Sequence, residues 1–210
     1  MYILFPVVVA TCLISWFSFT RPQLLEKLLL SPYLVNTENQ FYRVITHGFV
    51  HADFTHLFFN MFVLWEFGSR VQYDWLNELH TSGVIPLPQE YGFAVLYFGG
   101  IIAGSIPALM KHKFNPEYRS LGASGAVSAV LMAYIISYPT KTLWLFLMIP
   151  IPSILAGVLF FLYESNMQKR SNTGIAHDSH IYGAVYGLLF CLLTDGNAIG
   201  NFVSRLQEWI

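Results

Sequence analysis

The sequence predicts an all-α membrane protein, and three observations carry that reading. Only 11% of its 210 residues are charged while 55% are hydrophobic, whereas a soluble domain is usually about a quarter charged. Six apolar stretches approach the roughly 20 residues needed to cross a bilayer: Tyr2–Phe19, Thr55–Val71, Tyr91–Met110, Gly122–Tyr138, Leu143–Tyr163 and His177–Thr194. The fourth and sixth are rich in Gly, Ala and Ser, the residues that let helix backbones pack closely in lipid. Those two are expected at the centre of a bundle, with the first, third and fifth more peripheral. No separate soluble domain is evident, so residues 1–210 are read as a single transmembrane domain. The net charge of −1 supplies no basic footprint for nucleic acid.

The first stretch lacks a basic leader and a small-x-small cleavage site, so it is expected to remain as a span and not to act as a signal peptide. Cys12 within it and Cys191 in the sixth stretch read as small core residues, not as disulfide partners. Between the first two stretches, Leu24–Leu30 and Phe41–Ile45 are amphipathic and too short to span. They suit either the membrane interface, apolar side in lipid, or an ordinary structured loop, and the sequence leaves both open. Pro150 and Pro152 are expected to bend or interrupt the fifth stretch. The tail Ala198–Ile210 is expected to form a short amphipathic helix. With a cytoplasmic N-terminus only Arg70, Lys141 and Arg205 fall inside, and Arg21, Lys27, Arg43, Lys111, Lys113, Arg119, Lys169 and Arg170 fall outside. The positive-inside rule prefers the reverse.

Polar groups within spans are costly and are functional candidates by default. Ser124 lies in Leu121-Gly122-Ala123-Ser124-Gly125-Ala126, where the charged loop Lys111–Arg119 runs into the fourth stretch. A hydroxyl there carries no chemistry without a base and oxyanion donors. The second stretch opens with His56-Leu57-Phe58-Phe59-Asn60, and the four-residue spacing puts His56 and Asn60 on one helix face. Both donate hydrogen bonds without a fixed charge, which suits a developing oxyanion and equally suits bonding between helices. In the sixth stretch Gly183 and Gly187 follow His180 by three and seven residues. The three share a stripe that admits a neighbouring backbone and sets His180 against it. The fourth stretch is the natural partner. Ser124 and His180 would then lie about one turn inside the same membrane face, as a serine–histidine hydrogen bond requires. His177 shares the stripe one turn higher and, beside Asp178, reads as wetter and less constrained.

Other chemistries find less support. No histidine is followed by glutamate, as the zinc motif His-Glu-x-x-His would require. His47 and His51 are spaced i, i+4 but have no evident third ligand, so neither a metal nor another cofactor is expected. Tyr73-Asp74 lacks the Gly-x-Gly-Asp half of an intramembrane aspartyl protease and reads as a solvated helix-end charge near Arg70. Paired broken helices of the transporter kind are not found.

Taken in order, His51, the string His56–Asn60, Gly122-Ala123-Ser124-Gly125 and His180-x-x-Gly183-x-x-x-Gly187 resemble the motif set of the rhomboid intramembrane serine proteases. Tyr42-Arg43 is similar to that family's Trp-Arg pair. The resemblance covers nearly the whole chain and implies a six-transmembrane-helix rhomboid-like bundle with a membrane-embedded first loop, of the bacterial type. It implies Ser124 as nucleophile and His180 as general base and later acid, in a dyad without a third member. His56, Asn60 and the Ser124 N–H would stabilise the oxyanion, with Gly122, Gly125, His51, Gly183 and Gly187 in support. The fifth span and the loop Ser165–Ala176 would gate entry. The implied function is an intramembrane endopeptidase acting on single-pass transmembrane proteins in the lipid bilayer. The implied place is a bacterial inner or plasma membrane, with the N-terminus cytoplasmic and the site opening extracytoplasmically. The alternative is an inactive rhomboid-like protein that binds or escorts membrane clients. Three positions depart from the family pattern: Ser128 stands where an aromatic often stacks on the histidine, Gln72 where many relatives carry glutamate, and Tyr42 where they carry tryptophan. The resemblance then leaves His180 to be held by backbone packing or by another ring, for instance Tyr182 or a residue of the second span. Neither the substrate nor the oligomeric state is specified by the sequence.

Overall fold

The computed structural model describes residues 3–145, 148–168 and 176–209. Its first helix, α1 (Leu4–Phe19), buries Leu4, Val7, Thr11, Ser15 and Ser18, a stripe at spacings of three and four. Phe5, Leu13 and Trp16 on the other side are exposed. Three of these five are polar, and one of them, Ser15, is used on the loop that precedes the next long helix. Ser15 Oγ donates to the Phe49 carbonyl at 3.0 Å and bonds His51 Nδ1 at 2.9 Å.

The segment between the first two apolar stretches is a structured loop of short helices. α2 (Pro22–Leu28) and α3 (Pro32–Glu38) each place a proline in the first turn, where the missing N–H costs nothing. α3 is capped by Ser31 and ends at Asn39 in the left-handed region, φ 56°. α4 (Arg43–Thr46) runs into a 3₁₀ turn at His47–Phe49. Buried Arg43 holds the loop together, donating to the carbonyls of Glu26 (2.7 Å) and Leu29 (2.9 Å) and to Gln40 Oε1 (2.6 Å). Arg43→Ala would leave two carbonyls of the loop without their cationic donor. A loss of about 2–4 kcal/mol is expected, read as a lower thermal midpoint in micelles. Arg43→Lys should not restore it, because an ammonium cannot reproduce the guanidinium fork.

α5 (Phe54–Ser69) starts where Asp53 Oδ1 accepts the His56 N–H at 2.8 Å. Past the expected end at Val71 the chain stays helical, through a π-helical stretch at Arg70–Leu76 into α6 (Asn77–Thr81). Polar residues there suggest a loop, but Val71, Gln72, Trp75, Leu76 and Leu79 form a buried inner face that prolongs the helix. Gln72 is used structurally: its Oε1 accepts the Leu4 N–H at 3.1 Å and so caps α1.

α7 (Gln89–His112) is, among the described helices, the one that is long and apolar enough to cross a bilayer by itself. α10 (His177–Thr194) passes the same test only together with α11 (Ala198–Gln207), across a 101° bend. The helical architecture agrees with expectation, while six complete crossings do not follow from helix lengths. α8 (Ser124–Ser137) has 14 residues, about 21 Å of rise against a hydrocarbon core of about 30 Å. A helix so short is tolerable because protein surrounds it: every residue of α8 except Ser124, Leu131 and Ile136 is buried. α8 is central, packed by α5, α7 and α10, as its small residues led one to expect.

The fifth stretch departs most from the sequence reading. Its first part forms an antiparallel hairpin, β1 (Thr142–Leu145) with β2 (Ile149–Pro152), in the register Thr142↔Pro152 and Trp144↔Pro150. The helix, α9 (Ser153–Gln168), begins only after Pro152. Two prolines separated by one residue exclude the helix outright, since each removes an intrahelical bond and clashes with the preceding turn. α9 is tied to the end of α8 through Ser153, whose N–H donates to the Lys141 carbonyl at 2.9 Å and whose hydroxyl donates to the Tyr138 carbonyl. α11 forms as expected, and Arg205 on it bonds the Ser137 carbonyl at the end of α8.

Candidate active site

Ser124 is the first residue of α8, so backbone N–H groups of the first turn, its own included, have no intrahelical acceptor. The approach to it is held by the first loop. Leu30 and Ser120 form an antiparallel bridge, with bonds of 2.9 and 3.1 Å, and the Gly122 N–H donates to the His47 carbonyl at 2.9 Å. Gly122 has φ +112°, a conformation that side chains rarely adopt. A Cβ there would also come within 2.8 Å of the His56 ring.

His51 is fully buried and makes two bonds. Its Nε2 accepts the Ala123 N–H at 3.4 Å, and its Nδ1 bonds Ser15 Oγ at 2.9 Å. Burial, then the neighbouring His56, lower its pKa to about 3, which keeps Nε2 free as an acceptor. The ring also meets His56 edge-on, with centroids 4.9 Å apart. His51 therefore fixes the residue just ahead of Ser124, and the metal reading of His47 and His51 gains nothing. His56 and Asn60 share a face of α5 as expected; Asn60 Nδ2 donates to the His56 carbonyl at 3.0 Å, which leaves its second N–H available.

The glycine stripe of α10 meets α8 backbone to backbone. A Cβ on Gly183 would collide with the Gly125 carbonyl, and one on Gly187 with the Ala129 carbonyl. Ser124 adjoins the first of these contacts, and His180 lies one turn before Gly183. The two helices thus carry both residues to the same end of one tight interface. Ser124 Oγ and His180 make no hydrogen bond to each other among the described residues. Catalytic bonds are often long until substrate binds.

The His180 ring is held by a residue that the sequence reading missed. His180 Nδ1 lies 3.0 Å from Glu164 Oε1, and His177 Nδ1 lies 2.6 Å from Glu164 Oε2. Glu164, on α9, is 5% exposed and His177 is 3% exposed. His177 is thus buried and tightly bonded, not wetter and less constrained; Asp178, which suggested a wet position, instead pairs with Lys111 at 2.9 Å. Tyr182 is exposed and does not hold His180; the ring beside it is His177, with centroids 6.0 Å apart. One donor atom from each of Glu164, His177 and His180 lies within 4.8 Å of the others, a set that would also suit a transition metal. The expected gating loop, Ser165–Ala176, lies largely outside the described residues.

The chain is 24% identical over 178 residues to RHOMBOID-like protein 12, mitochondrial, of Arabidopsis thaliana, covering 76% of the chain and 49% of that protein. It is 28% identical over 168 residues to human presenilin-associated rhomboid-like protein, mitochondrial (79% and 38%), and 27% identical over 154 residues to Rhomboid-like protein 16, chloroplastic, of Arabidopsis thaliana (64% and 42%). The match spans about half the length of these relatives or less. The family model for the Rhomboid domain matches residues 38–195, a range that contains each of the residues discussed above from Tyr42 to Gly187, and the chain therefore belongs to the rhomboid family.

Proposed function

We propose that the chain is an intramembrane serine endopeptidase in which Ser124 is the nucleophile and His180 the general base. The observation that carries this reading is the α8–α10 contact at Gly125 and Gly183, which carries a serine at a helix N-terminus and a histidine to one end of one interface. Ser124 Oγ attacks the scissile carbonyl as His180 Nε2 takes its proton. The same nitrogen then protonates the leaving amine, and water hydrolyses the acyl-enzyme. The Ser124 N–H, His56 and the spare Asn60 N–H serve the oxyanion. Substrates are single-pass membrane proteins whose helix unwinds locally, since a peptide bond inside an intact helix is shielded by its own hydrogen bonding.

In this reading α1, α5, α7, α8, α9 and α10 are the six spans of one domain, and the site opens to the extracytoplasmic face. Three of the cations that counted against this orientation are engaged within the protein. Arg43 bonds loop carbonyls, Lys111 pairs with Asp178 and Arg119 pairs with Glu26. Family membership makes the chain a membrane protein without naming the membrane. The mitochondrial and chloroplastic names of the relatives lend no support to a bacterial one.

Labelling with a fluorophosphonate tests the nucleophile. The wild type should label and Ser124→Ala should not. Labelling that survives in Ser124→Ala places the nucleophile elsewhere, and a wild type that never labels favours the inactive, client-binding alternative.

A further inference from the structure

We infer that Glu164 is a positioning residue for the base, so that Glu164, His180 and Ser124 work as a carboxylate–histidine–serine triad. This rests on the protease reading above. Glu164 is a buried carboxylate. Such a group is costly to desolvate unless donors satisfy it, and here each oxygen faces one imidazole, at 3.0 and 2.6 Å. An anionic carboxylate only accepts, so both Nδ1 atoms must carry the hydrogen. That assigns the tautomer of His180: Nδ1–H donates to Glu164 Oε1, and the lone pair resides on Nε2, the nitrogen the reaction needs.

When Nε2 takes the proton from Ser124 Oγ, the imidazolium forms beside an anion that is already in place. Glu164 remains ionised throughout, and the proton passes on to the leaving amine. His177 has a different part. Its bond to Oε2 fixes the carboxylate from the far side, so that Oε1 faces His180. This accounts for position 128. Among the described residues, with Ser128 on α8, no aromatic from that helix lies against the imidazole, and the ring is oriented from α9 instead.

The test uses full-length protein in micelles with a fluorogenic transmembrane peptide. Glu164→Gln keeps the shape and removes the charge. It should lower kcat about 100-fold or more and leave KM within about twofold. Glu164→Asp, which keeps the charge, should recover kcat to about two- to tenfold below wild type. A Glu164→Gln enzyme with wild-type kcat overturns the proposal. So does a kcat loss that comes with a lower thermal midpoint and is not recovered by Glu164→Asp, which is what a purely structural residue gives. If Glu164→Gln fails to fold, Glu164→Asp decides: a kcat about two- to tenfold below wild type at unchanged KM is required, and wild-type kcat overturns the role. One equivalent of zinc retained by the purified protein would also overturn it, since metal on these donors takes the Nδ1 atoms. Failure of the wild type to label with fluorophosphonate removes the protease reading itself. Equal labelling rates for wild type and Glu164→Gln remove only the role of Glu164.

Discussion

His180→Ala is expected to reduce peptide cleavage roughly 10⁴-fold or more, the scale on which loss of a catalytic base is measured in serine hydrolases. The protein should stay folded, because Glu164 keeps its bond to His177 and the α8–α10 contact is made by glycines below the ring. His177→Ala should be milder, costing about tenfold, because it loosens the carboxylate without removing the base. Cleavage assays on the two variants, with thermal midpoints as the check on folding, separate the roles. A dead His177→Ala beside an active His180→Ala would move the base one turn along α10.

Gly183→Val should be the most damaging substitution for the fold. Its first added carbon falls on the Gly125 carbonyl, and the collision is with backbone, which cannot rotate away. α10 must therefore move off α8 at the level of Ser124. A loss of about 3 kcal/mol or more is expected, with cleavage falling to background even in the fraction that remains folded. Gly196→Ala is the matched control, since a Cβ there meets nothing within 4 Å and stability should be unchanged. Equal midpoints for Gly183→Val and wild type would mean that the two backbones are not in contact.

What the sequence made legible was what depends on neighbours along the chain. The small-residue run after Ser124 and the glycines after His180 identified α8 and α10 as central partners, because a missing side chain is itself a packing instruction. His56 and Asn60 were paired by helical spacing alone. The hairpin at Thr142–Pro152 was foreshadowed by Pro150 and Pro152, yet the apolar run around them hid a strand within what looked like a span. Glu164 left no local trace. It stands one residue beyond the apolar run that ends at Tyr163 and on a different helix from His180, so its charge read as the edge of a loop. Only the packing of α9 on α10 brings its oxygens to the two imidazoles. Likewise, Gln72 looked like a substitution for glutamate until the end of α1 was found on its carbonyl oxygen.

That capped helix has a consequence for depth. α1 lies outside residues 38–195, the part matched to the family, but it is pinned twice, at Leu4 to Gln72 and at Ser15 to the His51 ring. The two pins are about 16 Å apart along the helix axis. A slip of one turn, about 5.4 Å, would break both at once and strand buried polar groups, at about 1–3 kcal/mol each. α1 thus works as a gauge rod between two levels of the protein. Since His51 also grips the Ala123 N–H, the upper mark on that rod is the height of the reactive serine.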